Sequence, residues 1–239
     1  MKAIDARTHA GELDCSKLIK AAREIVSGVH RVSGREAWAH LWRCLAWELN
    51  VLEDGKTRPD YRRFDDAQIE ATKAFAIELA ILEGQDPADY AGAIYMQLGF
   101  NDPKAKGQIF TPRAIADFIV RSTYEELKAE GKPIGTPSHP WLDPCVGGGA
   151  FPLAVLRLQK AEKLRPIYVV MNDLDPLCVD MAFVQFSYAG GIGQAHTGDF
   201  LATAADGKMN TPCTHMTIAT SIALTLAETN KKEPDHERI

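Results

Sequence analysis

The sequence contains few cysteines, no long apolar run and no excess of positive charge. Its five cysteines are scattered over 239 residues without a C-x-x-C pair. This pattern argues against a zinc site and is typical of reduced thiols in the cytoplasm. No apolar run approaches the roughly 20 residues that cross a bilayer, and residues 1–7 lack the apolar stretch of a signal peptide. We therefore predict a cytoplasmic protein with no metal site and no membrane contact.

Positive charge is scarce because the formal net charge is −5. Strong binding of nucleic acid requires Lys and Arg concentrated against the phosphates. DNA contact would therefore depend on a local basic patch or on a partner. Two groups of basic residues occur, one at Lys104, Lys106 and Arg113 and the other at Lys56, Arg58, Arg62 and Arg63. Such groups are more often a solvated surface, so we expect DNA binding by the chain alone to be weak.

The first hundred residues carry no strand signal. Apolar residues recur there at helical spacing in four segments. The predicted helices run from about residue 13 to 29, from a Ser33 cap with Glu36 in the spacing of a capping box, from Asp65 or Asp66 to Gly84, and from Asp86-Pro87 through Leu98. Trp38 and Trp42, one helical turn apart, are interpreted as core residues. The sequence therefore predicts an all-helical N-terminal region over residues 1–105.

The second half changes to alternating strands and helices. Strands are expected at 141–143, at 166–173 and from 194 to about 198, and helices at 117–130, 150–163 and 176–189. A loop is expected at 131–140, a turn at 190–193 and one more strand near 216–220. This order indicates parallel βαβ units and predicts an α/β fold over residues 106–228. Only about forty residues follow Asp199, so we expect a truncated parallel sheet and a loose polar tail at 229–239.

Three consecutive glycines, Gly147, Gly148 and Gly149, lie between the first of these strands and a helix. Glycine lets a backbone approach a ligand closely, and the N-terminus of the following helix offers free N–H groups. The segment has neither the G-x-G-x-x-G pattern of dinucleotide sites nor the Gly-Lys-Ser/Thr of a P-loop. By itself this turn leaves NAD, FAD and S-adenosylmethionine as candidate ligands.

Each of the three predicted parallel strands ends near an aspartate. Asp143 ends the first strand, Asp173 ends the second and Asp199 follows the third. A carboxylate after the second strand of a nucleotide-binding sheet accepts hydrogen bonds from ribose hydroxyls. Asp173 is favoured for that role over Asp175, which is also placed to cap the next helix. Asp199 is either an acceptor for an adenine amino group or a turn residue, but three acidic strand ends in series are more specific than one.

Upstream, residues 107–113 read G-Q-I-F-T-P-R. Thr111 and Pro112 predict a helix start, with Thr as the N-cap and Pro at the first helical position. The alternative is that this segment folds over one end of a cofactor.

These segments together resemble N6-adenine DNA methylases of the type I restriction–modification M-subunit class. G-Q-I-F-T-P-R is similar to that family's G-Q-F-F-T-P-R, and L-D-P-C-V-G-G-G-A-F, from Leu142, is similar to its D-P-A-C-G-S-G-G-F loop. N-D-L-D-P, from Asn172, resembles its G-x-E-x-x-P strand end, and D-Y-A-G-A-I-Y, from Asp89, resembles its D-x-x-G-x-x-Y. The matching segments occur in the family's order between about residues 89 and 201.

The resemblance implies a Rossmann-like S-adenosylmethionine-dependent methyltransferase domain. It implies that Asp173 binds the ribose of the cofactor and Asp199 its adenine. The implied cofactor-binding residues are Phe110, Thr111 and Pro112, then Asp143, Pro144, Cys145, Gly147 and Gly149, then Asp173, Leu174, Asp199 and Phe200. It also implies methylation of adenine N6 in DNA, with DNA and a protein partner or a second copy of the chain as interaction partners.

Active members of that family carry an N/D-P-P-F/Y motif after the third acidic strand end, and this sequence lacks it. In that motif the Asn side chain and a Pro carbonyl accept hydrogen bonds from the adenine amino group, and the aromatic ring stacks on the flipped base. The nearest fragment is N-T-P-C from Asn210, which makes Asn210 the candidate catalytic residue and a turn residue the alternative. His215 is either a base or a structural residue.

Two functional classes therefore remain open. One is an adenine DNA methylase, complete or working with a partner. The other is a cofactor-binding module without methyl transfer, such as a regulator or a remnant of a DNA modification system. Methylation of a substrate other than DNA is a third, weaker alternative.

Overall fold

A computed structural model of the chain describes residues 14–27, 33–50, 58–100, 109–203 and 213–217. Its helices are α1 (Ser16–Ser27), α2 (Gly34–Leu49), α3 (Asp66–Gln85), α4 (Tyr90–Gln97), α5 (Arg113–Ala129), α6 (Ala150–Ala161), α7 (Pro176–Tyr188) and α8 (Phe200–Thr203). A 3₁₀ turn lies at Tyr61–Arg63. The strands are β1 (Trp141–Asp143), β2 (Tyr168–Asp173), β3 (Ile192–Thr197) and β4 (Cys213–Met216).

The four strands form one sheet in the order β1-β2-β3-β4. The pairs β1–β2 and β2–β3 are parallel, with α6 and α7 as the crossovers. This is the Rossmann-like βαβαβ arrangement, and the predicted α/β fold with a short parallel sheet is confirmed. Because the three strands are parallel, their carboxyl ends meet at one edge of the sheet.

The fourth strand differs from the sequence prediction. We expected a strand near 216–220 in a parallel sheet, whereas β4 lies at Cys213–Met216 and runs antiparallel to β3. A parallel connection normally needs a full crossover helix, and the described part of the β3–β4 connection holds only the four-residue α8. The expected turn at 190–193 is also too long, since Ile192 and Gly193 already pair with β2.

The N-terminal helices pack around an aromatic cluster. Trp38 and Trp42 are completely buried, with ring centroids 5.4 Å apart, and both rings meet Phe75 edge-on. The capping box between Ser33 and Glu36 is present. The interpretation of the tryptophans as core residues is therefore confirmed. Helix α1 packs on α3 and helix α2 on α7, so the helices share a core with the βαβ unit, and the boundary at 105/106 stays a prediction.

Two predicted helix boundaries in this region are wrong. Helix α4 begins after Asp89, whose side chain accepts a hydrogen bond from the Gly92 N–H at 2.7 Å, and not at Asp86. Asp86 instead ends α3, which continues one residue beyond Gly84. The carboxylate of Asp86 is drawn away from a capping role because it forms an ion pair with Arg113.

Helix α5 begins four residues before the 117–130 segment expected as a helix, and its buried face packs on α6. Thr123 and Leu127 of the same helix line a groove with Trp141 and Leu142 of β1, as expected for a helix beside the first strand. The loop expected at 131–140 holds no helix, and its one β-bridge joins Thr136 to His139. No helix in the described ranges is long and apolar enough to cross a membrane.

Candidate functional site

The structure brings the three predicted carboxylates to one edge of the sheet. β1 ends on Asp143, β2 ends on Asp173, and Asp199 lies two residues beyond the end of β3. In open α/β sheets, ligands bind outside the carboxyl ends of the strands. This edge, with the loops that follow the strands, is the candidate site.

Asp143 is the most unusual side chain at this edge, because it is 7% exposed and only partly hydrogen-bonded. Its Oδ1 accepts the backbone N–H of Cys145 at 3.1 Å, but its Oδ2 is buried and has no partner in the described ranges. Burial, with the nearby charge of Asp173 as a smaller cause, raises the pKa of Asp143 to about 6. A buried acceptor without a donor costs free energy, so Asp143 is suited to a donor from a ligand.

The loop after Asp143 is shaped by two glycines with positive φ angles, Gly147 at 54° and Gly149 at 104°. The Gly149 N–H closes the turn by donating to the Val146 carbonyl at 2.9 Å. A Cβ on Gly149 would lie 3.2 Å from the Cα of Ala182 on α7. The turn therefore requires glycine both for its backbone conformation and for its packing.

The other loop residues predicted as cofactor contacts, Pro144 and Cys145, are exposed on the outside of this turn. Burial raises the pKa of the Cys145 thiol, with the Asp173 charge as the next cause. The thiol therefore stays protonated at neutral pH, and Cys145 offers a small neutral surface and not a nucleophile.

Asp173 supports the glycine turn from the neighbouring strand. One of its oxygens accepts the Gly147 N–H and the other accepts the Asp175 N–H, both at 2.9 Å. Burial raises the pKa of Asp173. A carboxylate has about four acceptor positions, so Asp173 retains capacity for ligand hydroxyl groups. Asp175 caps α7 through the Leu177 N–H at 3.0 Å.

Exposed leucines follow the second and third strands. Leu174 is 70% exposed, and Leu201 is also largely exposed. Asp199 lies between the strand β3 and Leu201, whose N–H it accepts at 3.0 Å, while Phe200 is partly buried. Exposed apolar side chains beside acceptor groups are typical of sites for flat, heteroatom-rich ligands. Sequence analysis identified Leu174 and did not identify Leu201.

Phe110 is brought against the glycine turn. Its ring is buried, meets the ring of Tyr95 edge-on at 5.7 Å, and lies 3.5 Å from the position that a Cβ on Gly147 would occupy. Phe110 therefore packs beside the glycine turn, and the predicted contact of this segment with a cofactor stays a prediction.

The helix start predicted at Thr111 and Pro112 is wrong by one residue. Helix α5 begins at Arg113, the cap position is Pro112, and no side chain caps it. The Pro112 carbonyl accepts the N–H groups of Ile115 and Ala116 at 3.0 and 3.1 Å. Since Pro112 is extended, with ψ at 141°, it cannot be the first helical residue.

Arg113 anchors this segment instead of offering a free charge. Its guanidinium donates to both carboxylate oxygens of Asp86, at 2.6 and 2.8 Å, and lies 3.7 Å from Asp117. Arg157 on α6 joins the same cluster by donating to Asp117. Arg113 is therefore not available as the phosphate contact that its place in a basic group suggested.

The other basic residues divide into those that the structure describes and those outside it. Arg58 pairs with Glu48 at 3.7 Å, and Arg62 pairs with Asp60 at 2.9 Å, on exposed surface. Lys56, Lys104 and Lys106 lie outside the described residues, as does the candidate catalytic residue Asn210.

A buried network below the glycine turn was not found from the sequence. Gln185 on α7 donates to the Gly148 carbonyl at 2.6 Å and to Asp89 Oδ1 at 3.3 Å, and it accepts the Ala91 N–H at 2.8 Å. The Asp89 carboxylate occupies the space that a Cβ on Gly148 would need. The D-x-x-G-x-x-Y segment signalled Asp89, but nothing in the sequence pairs it with Gln185.

Asn172 is a second residue that sequence analysis missed. Its side-chain Nδ2 donates to the carbonyls of Gly198 at 3.0 Å and Pro144 at 3.3 Å, and its backbone carbonyl accepts the Val146 N–H at 2.8 Å. Asn172, at the end of β2, therefore connects the loops that follow β1 and β3.

His215 lies away from this edge and is a structural residue. Its ring is buried, stacks on Phe183 with centroids 4.7 Å apart, and donates to Asp180 at 2.7 Å. Arg43 from α2 lies 3.5 Å from the same carboxylate. This buried Arg43–Asp180–His215 cluster joins α2, α7 and β4, so the alternative of His215 as a base is not supported.

No family model matches the chain, and no curated protein matches its sequence. A crystal structure from Listeria monocytogenes, described as a candidate class I S-adenosylmethionine-dependent methyltransferase, is similar at 14% identity and a TM-score of 0.48. The similarity covers 77% of this chain and 52% of that one, so the chain spans about half the length of that structure. An inference about function therefore depends on the site itself. Among the described residues, no group of His, Cys, Asp and Glu is arranged to hold a metal.

Proposed function

We propose that the chain binds S-adenosylmethionine at the carboxyl ends of β1, β2 and β3. The observation that carries this proposal is the buried Oδ2 of Asp143, which has no partner in the described ranges and lies at the start of the glycine turn. The ammonium group of the methionine portion is a donor of the required kind. Gly147 is partly exposed on this turn, so a ligand can approach its backbone closely.

The charge of the site favours this cofactor over NAD or FAD. Asp143, Asp173 and Asp199 place three carboxyl groups around one edge, and this edge would repel a diphosphate. S-adenosylmethionine has no phosphate and carries positive charge on both its sulfonium and its ammonium groups. Its single carboxylate suits the N-terminus of α6, which follows the glycine turn.

The remaining contacts follow from the order of the strands. Asp173 keeps acceptor positions for ribose hydroxyls, and Asp199 offers a carboxylate for the amino group of adenine. The exposed side chain of Leu174 offers an apolar surface to the base. Phe110 packs against the same turn, and Phe110, Thr111 and Pro112 are assigned to the methionine end.

We also propose that the chain is of the N6-adenine DNA methyltransferase type. S-adenosylmethionine supplies an electrophilic methyl group when bound. The support is the order of the motifs between residues 89 and 201, together with the packing of Phe110 against the glycine turn. Asn210 is the candidate hydrogen-bond acceptor for the adenine amino group.

The alternative is a cofactor-binding module that transfers no methyl group. It is favoured by the absence of an N/D-P-P-F/Y motif from the sequence. The engagement of Arg113 by Asp86 also removes Arg113 from the basic residues that are available to contact DNA. DNA and a protein partner remain proposed partners in both versions.

Cofactor binding is tested by titration calorimetry with S-adenosylmethionine and S-adenosylhomocysteine, using NAD as a control ligand. We expect saturable binding of the first two and none of NAD. Asp143→Asn is expected to weaken binding by at least about tenfold, since a charge-assisted hydrogen bond contributes roughly 1.5–3 kcal/mol. Asp66→Asn, at an exposed aspartate on α3, is the matched control. Folded protein that shows no heat of binding with either S-adenosylmethionine or S-adenosylhomocysteine would refute the cofactor proposal.

Methyl transfer is tested separately with tritiated S-adenosylmethionine and unmethylated DNA that contains adenine. Incorporation that is lost in Asn210→Ala and kept in the control Asn230→Ala supports the methyltransferase version. Cofactor binding without incorporation supports the module version. Incorporation into DNA that lacks adenine contradicts the N6-adenine assignment.

A further inference from the structure

The glycine turn is held from behind by a buried polar network that α4 and α7 supply. Gln185 on α7 is fully buried, and its Nε2 donates to the Gly148 carbonyl at 2.6 Å and to Asp89 Oδ1 at 3.3 Å. Its Oε1 accepts the Ala91 N–H at 2.8 Å. Asp89 also caps α4 by accepting the Gly92 N–H. A single side-chain amide therefore connects the turn to the N-terminus of α4.

Packing alone does not explain this network. Asp89 is 3% exposed, and its charge acts on Glu83, which is completely buried and whose Oε1 has no partner in the described ranges. Burial raises the pKa of Glu83, and the charge of Asp89 raises it further. Buried polar groups cost free energy, and apolar side chains of the same shape often replace them without loss of stability. A hydrogen-bonded network instead fixes one conformation, and here it fixes the glycine turn.

The hydrogen bonds of the turn determine which of its peptides is left for a ligand. The Gly148–Gly149 peptide is bonded at both ends, because its carbonyl accepts from Gln185 and its N–H donates to the Val146 carbonyl at 2.9 Å. The preceding peptide, between Gly147 and Gly148, makes no hydrogen bond to any residue in the described ranges. Glycine permits more than one backbone conformation, so the bond from Gln185 decides which peptide stays available.

We propose that Gln185, held by Asp89, is a positioning residue for the cofactor. It anchors the Gly148–Gly149 peptide, so that the Gly147–Gly148 peptide is presented to the ligand before binding. The inference rests on the proposed binding of S-adenosylmethionine at this edge of the sheet. A turn that is already ordered loses less conformational entropy when the ligand binds, and this raises the affinity.

Helix α4 belongs to the cofactor site on the same grounds. Its N-terminus supports the turn through Gln185, and Tyr95 near its C-terminus meets Phe110, which packs against the turn at Gly147. The first and last residues of the D-x-x-G-x-x-Y segment, Asp89 and Tyr95, are therefore both linked to the turn. Substitutions in this helical region are expected to act on cofactor binding.

Titration calorimetry of the full chain with S-adenosylhomocysteine tests the positioning role. Gln185→Met keeps the length of the side chain and removes its amide hydrogen bonds, so we expect binding to weaken at least about tenfold, the equivalent of one or two hydrogen bonds. Gln68→Met is the matched control, because Gln68 is also a buried glutamine and donates to the Ile25 carbonyl at 2.7 Å within the helical layer. Both variants are expected to lose stability in urea, and only Gln185→Met is expected to lose affinity.

The results separate this inference from the cofactor proposal. Wild-type protein that binds neither S-adenosylhomocysteine nor S-adenosylmethionine overturns both. If the wild type binds, an unchanged affinity in Gln185→Met, or an equal loss of affinity in Gln68→Met, overturns the positioning role alone.

Amide NMR of the wild-type chain is a second measurement that needs no variant. Adding S-adenosylhomocysteine is expected to move the Gly148 N–H resonance more than that of Gly149, because the Gly149 N–H is already bonded to Val146. The Gly191 N–H, which donates to the Phe186 carbonyl near the end of α7, is the internal reference and should not move. A larger movement at Gly149 than at Gly148 would show that the anchored peptide is not the one assigned, and would overturn the inference.

Discussion

Two buried aspartates in different regions of the molecule differ in how fully the protein satisfies their carboxylates. Asp180, between the helical layer and β4, accepts from His215 at 2.7 Å and lies 3.5 Å from Arg43. Asp143, at the strand-end edge, accepts one backbone N–H and keeps a buried oxygen without a partner in the described part of the chain. The protein's own side chains pair with the carboxylate of Asp180, whereas the carboxylate of Asp143 is only partly hydrogen-bonded.

The difference separates structural from ligand-binding roles. A buried carboxylate that the protein's own side chains hydrogen-bond and pair contributes to the fold, and its removal breaks those interactions. A buried carboxylate without a donor destabilises the free protein and is retained where a ligand supplies the donor. The same side-chain type therefore predicts opposite results on substitution in the two regions.

The largest expected effect on stability is at Asp180. Asp180→Ala removes the carboxylate that both His215 and Arg43 contact, so we expect the free energy of unfolding to fall by about 3–5 kcal/mol. Urea unfolding followed by tryptophan fluorescence measures it, because Trp38 and Trp42 are buried in the helical layer. Asp66→Ala, at an exposed aspartate, is the control. Equal unfolding midpoints for the two variants would contradict a structural role for Asp180.

The second effect concerns the support below the glycine turn. In Gly148→Ala the new methyl group meets the Asp89 carboxylate, so we expect a loss of about 1–3 kcal/mol of stability from overpacking and a loss of S-adenosylmethionine binding. Gly84→Ala on α3 has no atom within 4 Å of the new Cβ, and it should stabilise the helix by up to about 1 kcal/mol.

A double-mutant cycle with Asp89→Ala identifies the cause of the Gly148→Ala effect. If the carboxylate is the obstacle, Gly148→Ala costs less stability in the Asp89→Ala background. Equal costs in both backgrounds would show that the turn itself, and not Asp89, rejects the methyl group.

The third effect occurs at Asp143, where substitution is expected to stabilise the protein and not to destabilise it. The pKa of Asp143 is about 6 in the folded protein, against 3.8 as its ordinary value, so the folded state binds more protons between these values. The free energy of unfolding therefore falls as pH rises from about 4 to 6, by up to about 3 kcal/mol at 1.36 kcal/mol per pKa unit.

Asp143→Asn removes this dependence while weakening cofactor binding. We expect the variant to match the wild type near pH 4 and to be more stable by about 2 kcal/mol at pH 7. Urea unfolding at several pH values without ligand measures the difference. The same pH slope in both proteins would show that Asp143 is not the group that titrates.

The site was predictable from the sequence where each residue is placed by its own strand. Asp143, Asp173 and Asp199 follow apolar strands of a βαβ pattern, so parallel pairing alone brings them to one edge. Leu174 follows from Asp173 by its position. The fold class followed from the same alternation of strands and helices.

The rest required the tertiary structure. Gln185 and Gly148 are 37 residues apart, and Asn172 on β2 joins the loops that follow β1 and β3, so no local pattern connects them. The direction of β4 depends on its connection from β3, and the start of α5 on the extended backbone of Pro112. The sequence also could not show that Arg113 is engaged by Asp86. Asn210 stays a prediction because it lies outside the described residues.

The smallest expected effect is at a surface ion pair. Arg62 and Asp60 meet at 2.9 Å, but Arg62 is almost fully exposed, so Arg62→Ala should leave the free energy of unfolding nearly unchanged. If the basic group around Arg62 contacts DNA, the same variant should make the negative slope of log affinity against log salt shallower by about 0.9, the value for one phosphate contact. Lys17→Ala, on α1, is the control. An unchanged slope in Arg62→Ala would exclude this surface as a DNA contact, and any DNA binding would then depend on the strand-end edge or on a partner.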